Sequence, residues 1–412
     1  MSAFKDFFKV KTIEEVLSLD ALFPLLETEE IPLAEASGRV LASDIISDIN
    51  LPGFDRSTMD GFAVVASSTF GASESSPSFL SVKGSVAMGE SPLFAITRGE
   101  AARISTGGML PQGADSVVMI EKTEPVDDHS IEVFSSVPPG NDIIKKGEDY
   151  REGDIIMPTG CRLRPQDVGL LAAFGCDPVN VYKRPVVGII STGDEIVPVS
   201  SNPGPAEVRD INTYSLSGFA REAGAIPVPF GIAKDNFDDL LAVCKKAIDR
   251  CDIVILSGGS SVGSRDFTID VLSSLPDSDI LVHGVSISPG KPTILAKTCG
   301  KAFWGLPGHV VSSMIVFKVI VRPFIEHMGG VSETNRKQLH IKARMTRNIS
   351  SAQGRIDCVR VKVIQSDGVF FAEPVLGKSG LINTMVKADG IVMVDMNSEG
   401  LEKGTEVDVV QI

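Results

Sequence analysis

Positive charge is scarce in this chain. Its 412 residues carry 39 Lys and Arg against 53 Asp and Glu, a net charge of −14. A nucleic-acid binder needs a basic face to neutralise phosphates, so the balance argues against that class. No run of about 18 apolar residues occurs, so no membrane-spanning helix is expected. The opening Met-Ser-Ala-Phe-Lys-Asp has no apolar signal core, so no secretory signal is expected either. Cysteine is sparse: Cys161, Cys176, Cys244, Cys251, Cys299 and Cys358 form no C-x-x-C pair. They read as the reduced thiols of a cytoplasmic protein, and nothing supports a metal-thiolate site. No G-x-G-x-x-G opens a helix, which argues against a dinucleotide fold of that type. Fixed-period repeats are absent. What remains, 43% hydrophobic and 22% charged residues over this length, is the composition of a globular protein with several domains.

The chain changes texture along its length. Thr12 and Glu15 form a capping box ahead of an apolar stripe, predicting a first helix, and Leu33–Ala42 predicts a short helix ending in a strand. Between residues 51 and 139, short apolar runs (62–66, 79–82, 101–104, 116–120, 131–134) alternate with Gly, Pro and Ser clusters, the pattern of a small β-domain. A helix is expected from Pro165 to Phe174, closed by Gly175. Residues 184–328 alternate strands (185–190, 226–232, 252–256, 279–287, 293–297, 302–305) with helices (212–223, 236–250, 266–275). A long buried helix follows over 309–328, kinked at Pro323. Such alternation predicts βαβ units and a mostly parallel sheet. Residues 339–412 return to short strands.

Four glycine- or proline-rich turns end strands of the α/β region: Ser191–Glu195, Ser257–Gly263, Ser288–Pro292 and Leu306–His309. Ligands of open α/β sheets bind outside the carboxyl ends of the strands, and glycines let backbone N–H groups approach an anion. Gly258, Gly259, Ser261 and Gly263 form a turn feeding a helix near Asp266, an anion site by geometry or simply a tight turn. The same residues satisfy G-x-S-x-G with Ser261 as nucleophile, but only His283 and His309 are near in sequence as bases. Lys291 does not belong to a Walker A loop, since Gly284 is misplaced and Pro292 occupies the Ser/Thr position. Framed by Pro289, Gly290 and Pro292, it suits an oxyanion as a point charge. Acids recur at glycine turns: Asp60, Asp149, Asp194, Glu195 and Asp266. A lone turn aspartate is usually a turn former or cap. Converging, these acids would repel a phosphate unless a cation intervened, and carboxylates plus substrate phosphates are the usual cage for Mg²⁺.

Leu33–Ala42, Pro52–Ala63, Ile104–Gly107, Pro111–Asp115, Gly147–Asp149 and the four turns, taken in order, resemble the MoeA family. These are the molybdopterin molybdenumtransferases, which include the plant Cnx1 and gephyrin E domains. The resemblance implies a multidomain α/β plus β fold. It has a mixed linker domain (1–50 and 140–183), a small β-domain (51–139), a MogA-like α/β domain (184–328) and a C-terminal β-domain (329–412). It implies a cytoplasmic homodimer that takes adenylylated molybdopterin from a MogA-type adenylyltransferase. With Mg²⁺ and molybdate it releases AMP and inserts molybdenum. Asp194, Glu195 and Asp266 would then stand at the metal and phosphate end, with Asp235, Gly258, Gly259, Ser261, Gly263, Pro307 and Gly308 lining the substrate cleft. Asp60, Thr106 and Asp149 would come from the second subunit. Lys291, Ser288, Ser379 and either Arg355 or Arg360 would receive the oxyanion.

Three positions depart from the family pattern. Ser288 stands where a lysine is common, His309-Val310 replaces Asn-Pro, and no arginine lies near Ile144. The first removes a positive charge from the oxyanion pocket. A tungsten-inserting paralogue, a non-catalytic scaffold and a Ser261 hydrolase are the competing readings. The retained acids argue against the scaffold.

Overall fold

The computed structural model describes residues 10–258, 267–336 and 339–412. They group into two units. One comprises Met1–Ser43, Thr159–Ala172 and Cys176–Ile412, the other Asp44–Pro158 and Ala173–Gly175. The four-part division expected from sequence is finer than this grouping, and residues 140–158 fall with the smaller unit.

The larger unit holds the expected α/β sheet. Its elements are β1 (Val186–Thr192), α1 (Asn212–Glu222), β2 (Ile226–Ala233), α2 (Phe237–Arg250), β3 (Ile253–Ser257), α3 (Phe267–Ser273), β4 (Asp279–His283), β5 (Ile294–Thr298), β6 (Lys301–Leu306) and α4 (Val310–Val316). The spatial order is β2-β1-β3-β6-β5-β4. The first four are mutually parallel, and β5 and β4 close the sheet antiparallel. Strands β1, β3 and β6 read as continuous apolar runs because both faces are covered. Ile253 and Ile255 join one core with Leu216, Trp304 and Ile315, while Val254 and Leu256 join the other with Leu240, Ala247 and Leu272. Asn236 caps α2 by accepting from Asp239 N at 3.0 Å.

The long final helix passes through a π-turn, Phe317–Val321, before Arg322–Met328. Pro323 is the second residue after that turn. A proline ring clashes with the carbonyl four residues earlier, and the wider turn relieves the clash. Two expectations need correction. The strand predicted over 279–287 stops at His283, because Gly284 turns the chain at φ 103°. Ile287–Ser288 instead pairs in parallel with Ile356–Asp357 of the C-terminal sheet. The helix predicted in Leu33–Ala42 is only a 3₁₀ turn, Leu33–Glu35, cut off by the left-handed Gly38.

The C-terminal residues supply five strands of a six-stranded sheet around Ala343, Val361, Ala372, Val392 and Val409, the sixth being Ile287–Ser288. The smaller unit carries its own six-stranded sheet, with strands ordered 116–119, 61–64, 100–104, 78–86, 130–133 and 123–127. The last of these, Thr123–Asp127, lacks the expected alternation and was not legible as a strand. Gly61 is required by close approach, since a Cβ there would sit 2.0 Å from the Val118 carbonyl oxygen.

Candidate functional site

The carboxyl ends of β1, β3 and β6 are level: Ser191 pairs with Ser257, and Ser257 with Leu306. With β1 flanked by β2 on one side and β3 on the other, this edge is a topological switch point, where open α/β sheets bind ligands. The ends of these three strands therefore face one edge of the sheet, taken as the candidate crevice. Gly258 N–H donates to Leu306 O at 3.1 Å, and the Gly308 Cβ position lies 3.5 Å from Gly258 Cα. Gly258 has φ 115°, and a side chain there would run into Thr192 O at 2.2 Å.

Beneath the crevice lies a buried polar network. Asp210 Oδ1 accepts from Ser191 Oγ at 3.0 Å and from Thr213 N at 3.1 Å, fastening the start of α1 to the end of β1. Asn212 Nδ2 donates to Ser257 Oγ (2.7 Å) and to Gly308 O (2.9 Å), while its Oδ1 accepts from Ser313 Oγ (3.3 Å). One amide thus ties α1, β3, the β6 turn and α4 together. Asp210 and Asn212 were not among the residues expected from sequence. The signal was there, an Asp-x-Asn-Thr cap ahead of an apolar period, but it read as a helix start.

Two of the predicted site acids, Asp194 and Asp235, meet at the end of β1. Asp194 Oδ1 accepts from Asp235 N at 3.2 Å, and Thr192 Oγ1 lies 3.5 Å from Asp235 Oδ1. The Glu195 carboxylate folds back over Gly193, whose Cβ position it would approach to 2.8 Å. Asp194 and Glu195 are exposed, and no ion pair among the described residues neutralises either. Gly259, Ser261, Gly263 and Asp266 lie outside the described residues.

The oxyanion candidates fall into separate groups: Lys291 on the Pro289–Pro292 turn, Ser379 and Arg360 at the 377–379 loop, and Ser288 and Arg355 at Asp357. Gly290, at φ 129°, packs so closely that a Cβ would fall 2.3 Å from Val316 of α4, which seats the Pro289–Pro292 turn on the helix. Lys291 is exposed on that turn. Val311 N donates to Ser379 O at 3.0 Å, and His309 Nδ1 lies 2.9 Å from Ser379 Oγ, so the Pro307–His309 turn carries the 377–379 loop. Arg360 is buried beneath that loop and donates from Nη2 to Gly377 O at 2.8 Å, leaving Nε without a partner. Arg355 is exposed and pairs with Asp357 at 3.0 Å. Ser288 stands beside Asp357 and bonds to it. Burial pushes the Asp357 carboxyl up, but bonds from Ser351 and Ser288 and the Arg355 charge outweigh it and hold the group below the usual carboxylate value.

In the smaller unit, Asp60 Oδ1 accepts from Thr106 N at 2.7 Å and Thr106 Oγ1 at 3.1 Å. The loops carrying them are stitched by Ser57 N to Gly108 O and Gly107 N to Ser57 O. Asp149 sits on a separate loop, its N–H donating to Leu51 O at 3.1 Å.

Three family models match successive parts of the chain. Residues 11–175 match the MoeA N-terminal region (domains I and II), 188–327 a "probable molybdopterin binding domain", and 342–412 the MoeA C-terminal region (domain IV). The chain is 34% identical to a molybdopterin molybdenumtransferase of Bacillus subtilis, over 94% of this chain and 90% of that one. It is 32% identical to the enzyme of that name from a Nostoc species, over 94% and 89%. A solved molybdopterin biosynthesis MoeA protein of Pyrococcus horikoshii superposes with TM-score 0.79 at 38% identity, covering 98% of this chain and 99% of the other. A second P. horikoshii structure gives 0.83 at 29% identity, covering 98% and 100%. With three family models matched in order and relatives of 32–34% identity covering 94% of it, this chain belongs to the MoeA family of molybdopterin molybdenumtransferases.

Proposed function

We propose that the crevice over β1, β3 and β6 binds adenylylated molybdopterin, cleaves its anhydride with release of AMP, and inserts molybdenum from molybdate into the dithiolene. The observation that carries this reading is the pairing of two unlike halves across one sheet edge. Acids (Asp194, Glu195 and Asp235) stand on one side, the first two exposed. Lys291, Ser379 and buried Arg360 stand on the other. The acid side cannot hold a phosphate unaided, whereas the Lys291 side matches an oxyanion.

The donor set fits a magnesium ion. No group of three His, Cys, Asp or Glu among the described residues is placed to cage a metal alone. Mg²⁺ characteristically takes one or two carboxylates plus substrate phosphates. Asp194 and Glu195 would hold it, with Asp266 as the third acid. When bound, it supplies charge neutralisation at the anhydride phosphates. The remaining work belongs to the chain itself. Thr192 and Asp235 position the phosphate end, and Gly258 and Gly308 keep the approach open for the backbone. Lys291 supplies a fixed positive charge to the oxyanion, and the Ser379 hydroxyl, held against His309, offers it a hydrogen-bonding group. Asp60, Thr106 and Asp149 are assigned to the same reaction from a second copy of the chain, in a homodimer whose upstream partner is a MogA-type adenylyltransferase.

The test is AMP release from adenylylated molybdopterin by the purified chain, with and without Mg²⁺, in molybdate or tungstate. The expected result is Mg²⁺-dependent release with molybdate, reduced about a hundredfold in kcat by Glu195→Gln. Release without Mg²⁺, or a Glu195→Gln variant with only a raised KM, would contradict the assignment. Faster turnover with tungstate would identify a tungsten-inserting paralogue.

A further inference from the structure

Away from the crevice, the larger unit contains a second polar site that the proposed reaction does not use. Arg39, in the Gly38-Arg39-Val40 stretch, is 8% exposed. Its Nη2 bonds to Glu29 and to Tyr182 O, but its buried Nε has no partner. A buried guanidinium N–H left unpaired is costly, more so than a neutral donor, so the site calls for an occupant.

Arg39 lines a recess of about 10 Å³, which is room for one water-sized atom. Arg162, Lys183, Arg184 and a single carboxylate, Glu326, also line it. That carboxylate is already engaged by Arg322 at 2.9 Å and lies 3.9 Å from Arg162. Lys183 is paired with Glu27, whereas Arg184 has no ion pair among the described residues. Arg162 is seated directly on Gly224, where a Cβ would fall 2.2 Å from its Nη1. Burial lowers the Arg162 pKa, and the charges of Arg322 and Arg184 push it the same way against Glu326. Arg39, Lys183 and Arg184 also line a wider cleft of about 430 Å³, with Glu29 and Glu35. The local excess of cations runs against the net charge of −14 of the whole chain.

We infer that this recess binds a small inorganic anion, either a halide or one oxygen of a phosphate or sulfate group whose remainder lies in the wider cleft. Water could satisfy Arg39 Nε, but it would bring no counter-charge to Arg184, which alone of these cations has no ion pair among the described residues. The occupant would join chain segments remote in sequence: the Arg39 turn, Arg162, the entry to β1, the turn after α1 and the end of the Arg322–Met328 helix. Its role is thus structural and separate from the chemistry of the crevice.

The test is thermal unfolding of the full chain at constant ionic strength, exchanging gluconate for bromide or for phosphate, so that screening does not change. Saturable stabilisation is expected with at least one anion, with half-saturation raised about tenfold or more in Arg39→Lys. Absence of any saturable rise, or an unchanged midpoint in a folded Arg39→Lys, overturns the proposal. Should Arg39→Lys not fold, the exposed Arg184→Ala carries the test, and an unchanged midpoint there overturns it equally. Anomalous scattering from bromide beside Arg39 Nε marks a halide site, and phosphate density in the wider cleft marks an oxyanion site. Crystals soaked in both anions that show neither overturn the inference.

Discussion

The floor and the rim of the crevice are both polar, yet they are built in opposite ways. In the floor, Ser191, Asp210, Asn212, Thr213 and Ser257 are all less than 9% exposed and bond to one another or to backbone. Buried polar groups must be satisfied, and a fully satisfied network fixes one arrangement of the elements it joins. In the rim, Asp194, Glu195 and Lys291 are exposed on turns. The floor fixes the shape of the strand edge, and under the proposed function the rim presents its charge to substrate. Floor substitutions should therefore lower stability, and rim substitutions should lower turnover while leaving stability within about ±0.5 kcal/mol.

The largest expected effect comes from breaking the floor. Asp210→Ala removes the acceptor for both Ser191 Oγ and Thr213 N. It should cost about 3 kcal/mol, combining a lost helix cap with a stranded buried donor. Urea unfolding reads it directly, and a loss below about 0.5 kcal/mol would erase the distinction between floor and rim. Ser288→Lys adds a charge near Lys291 instead of removing one, so it should lower KM for molybdate about threefold with kcat steady. A raised KM would mean that Asp357 captures the new ammonium. The smallest effect concerns Asp357. Its folded pKa lies below the unfolded value of about 3.9, so its contribution is present above that pH and is lost as pH falls through the folded pKa. The stability difference between wild type and Asp357→Asn should be flat at neutral pH and shrink on acidification. A difference that grows toward low pH would reverse the sign.

How much of this was legible in the sequence follows the same division. The rim was legible because glycine and proline punctuate turns, and acids beside them are visible as letters. The strands and helices of the α/β region were legible because their periods differ, apart from residues 279–287, where Gly284 splits an apolar run into two strands of different sheets. The floor was not legible as a site. Asn212 contacts Ser257, Gly308 and Ser313, which lie 45 to 101 residues away in sequence, and no local pattern announces such bonds. The choice between Arg355 and Arg360 was equally closed to sequence. Five residues apart, one is exposed and committed to Asp357, while the other is buried beneath the 377–379 loop.

The most direct test of the crevice as the reactive site is a crystal soaked with AMP, Mg²⁺ and molybdate, followed by location of each component. The account predicts the AMP phosphate and the metal against Asp194, Glu195 and Asp235, with the oxyanion between Lys291 and Ser379. Well-ordered AMP bound away from the carboxyl ends of β1, β3 and β6 would contradict it.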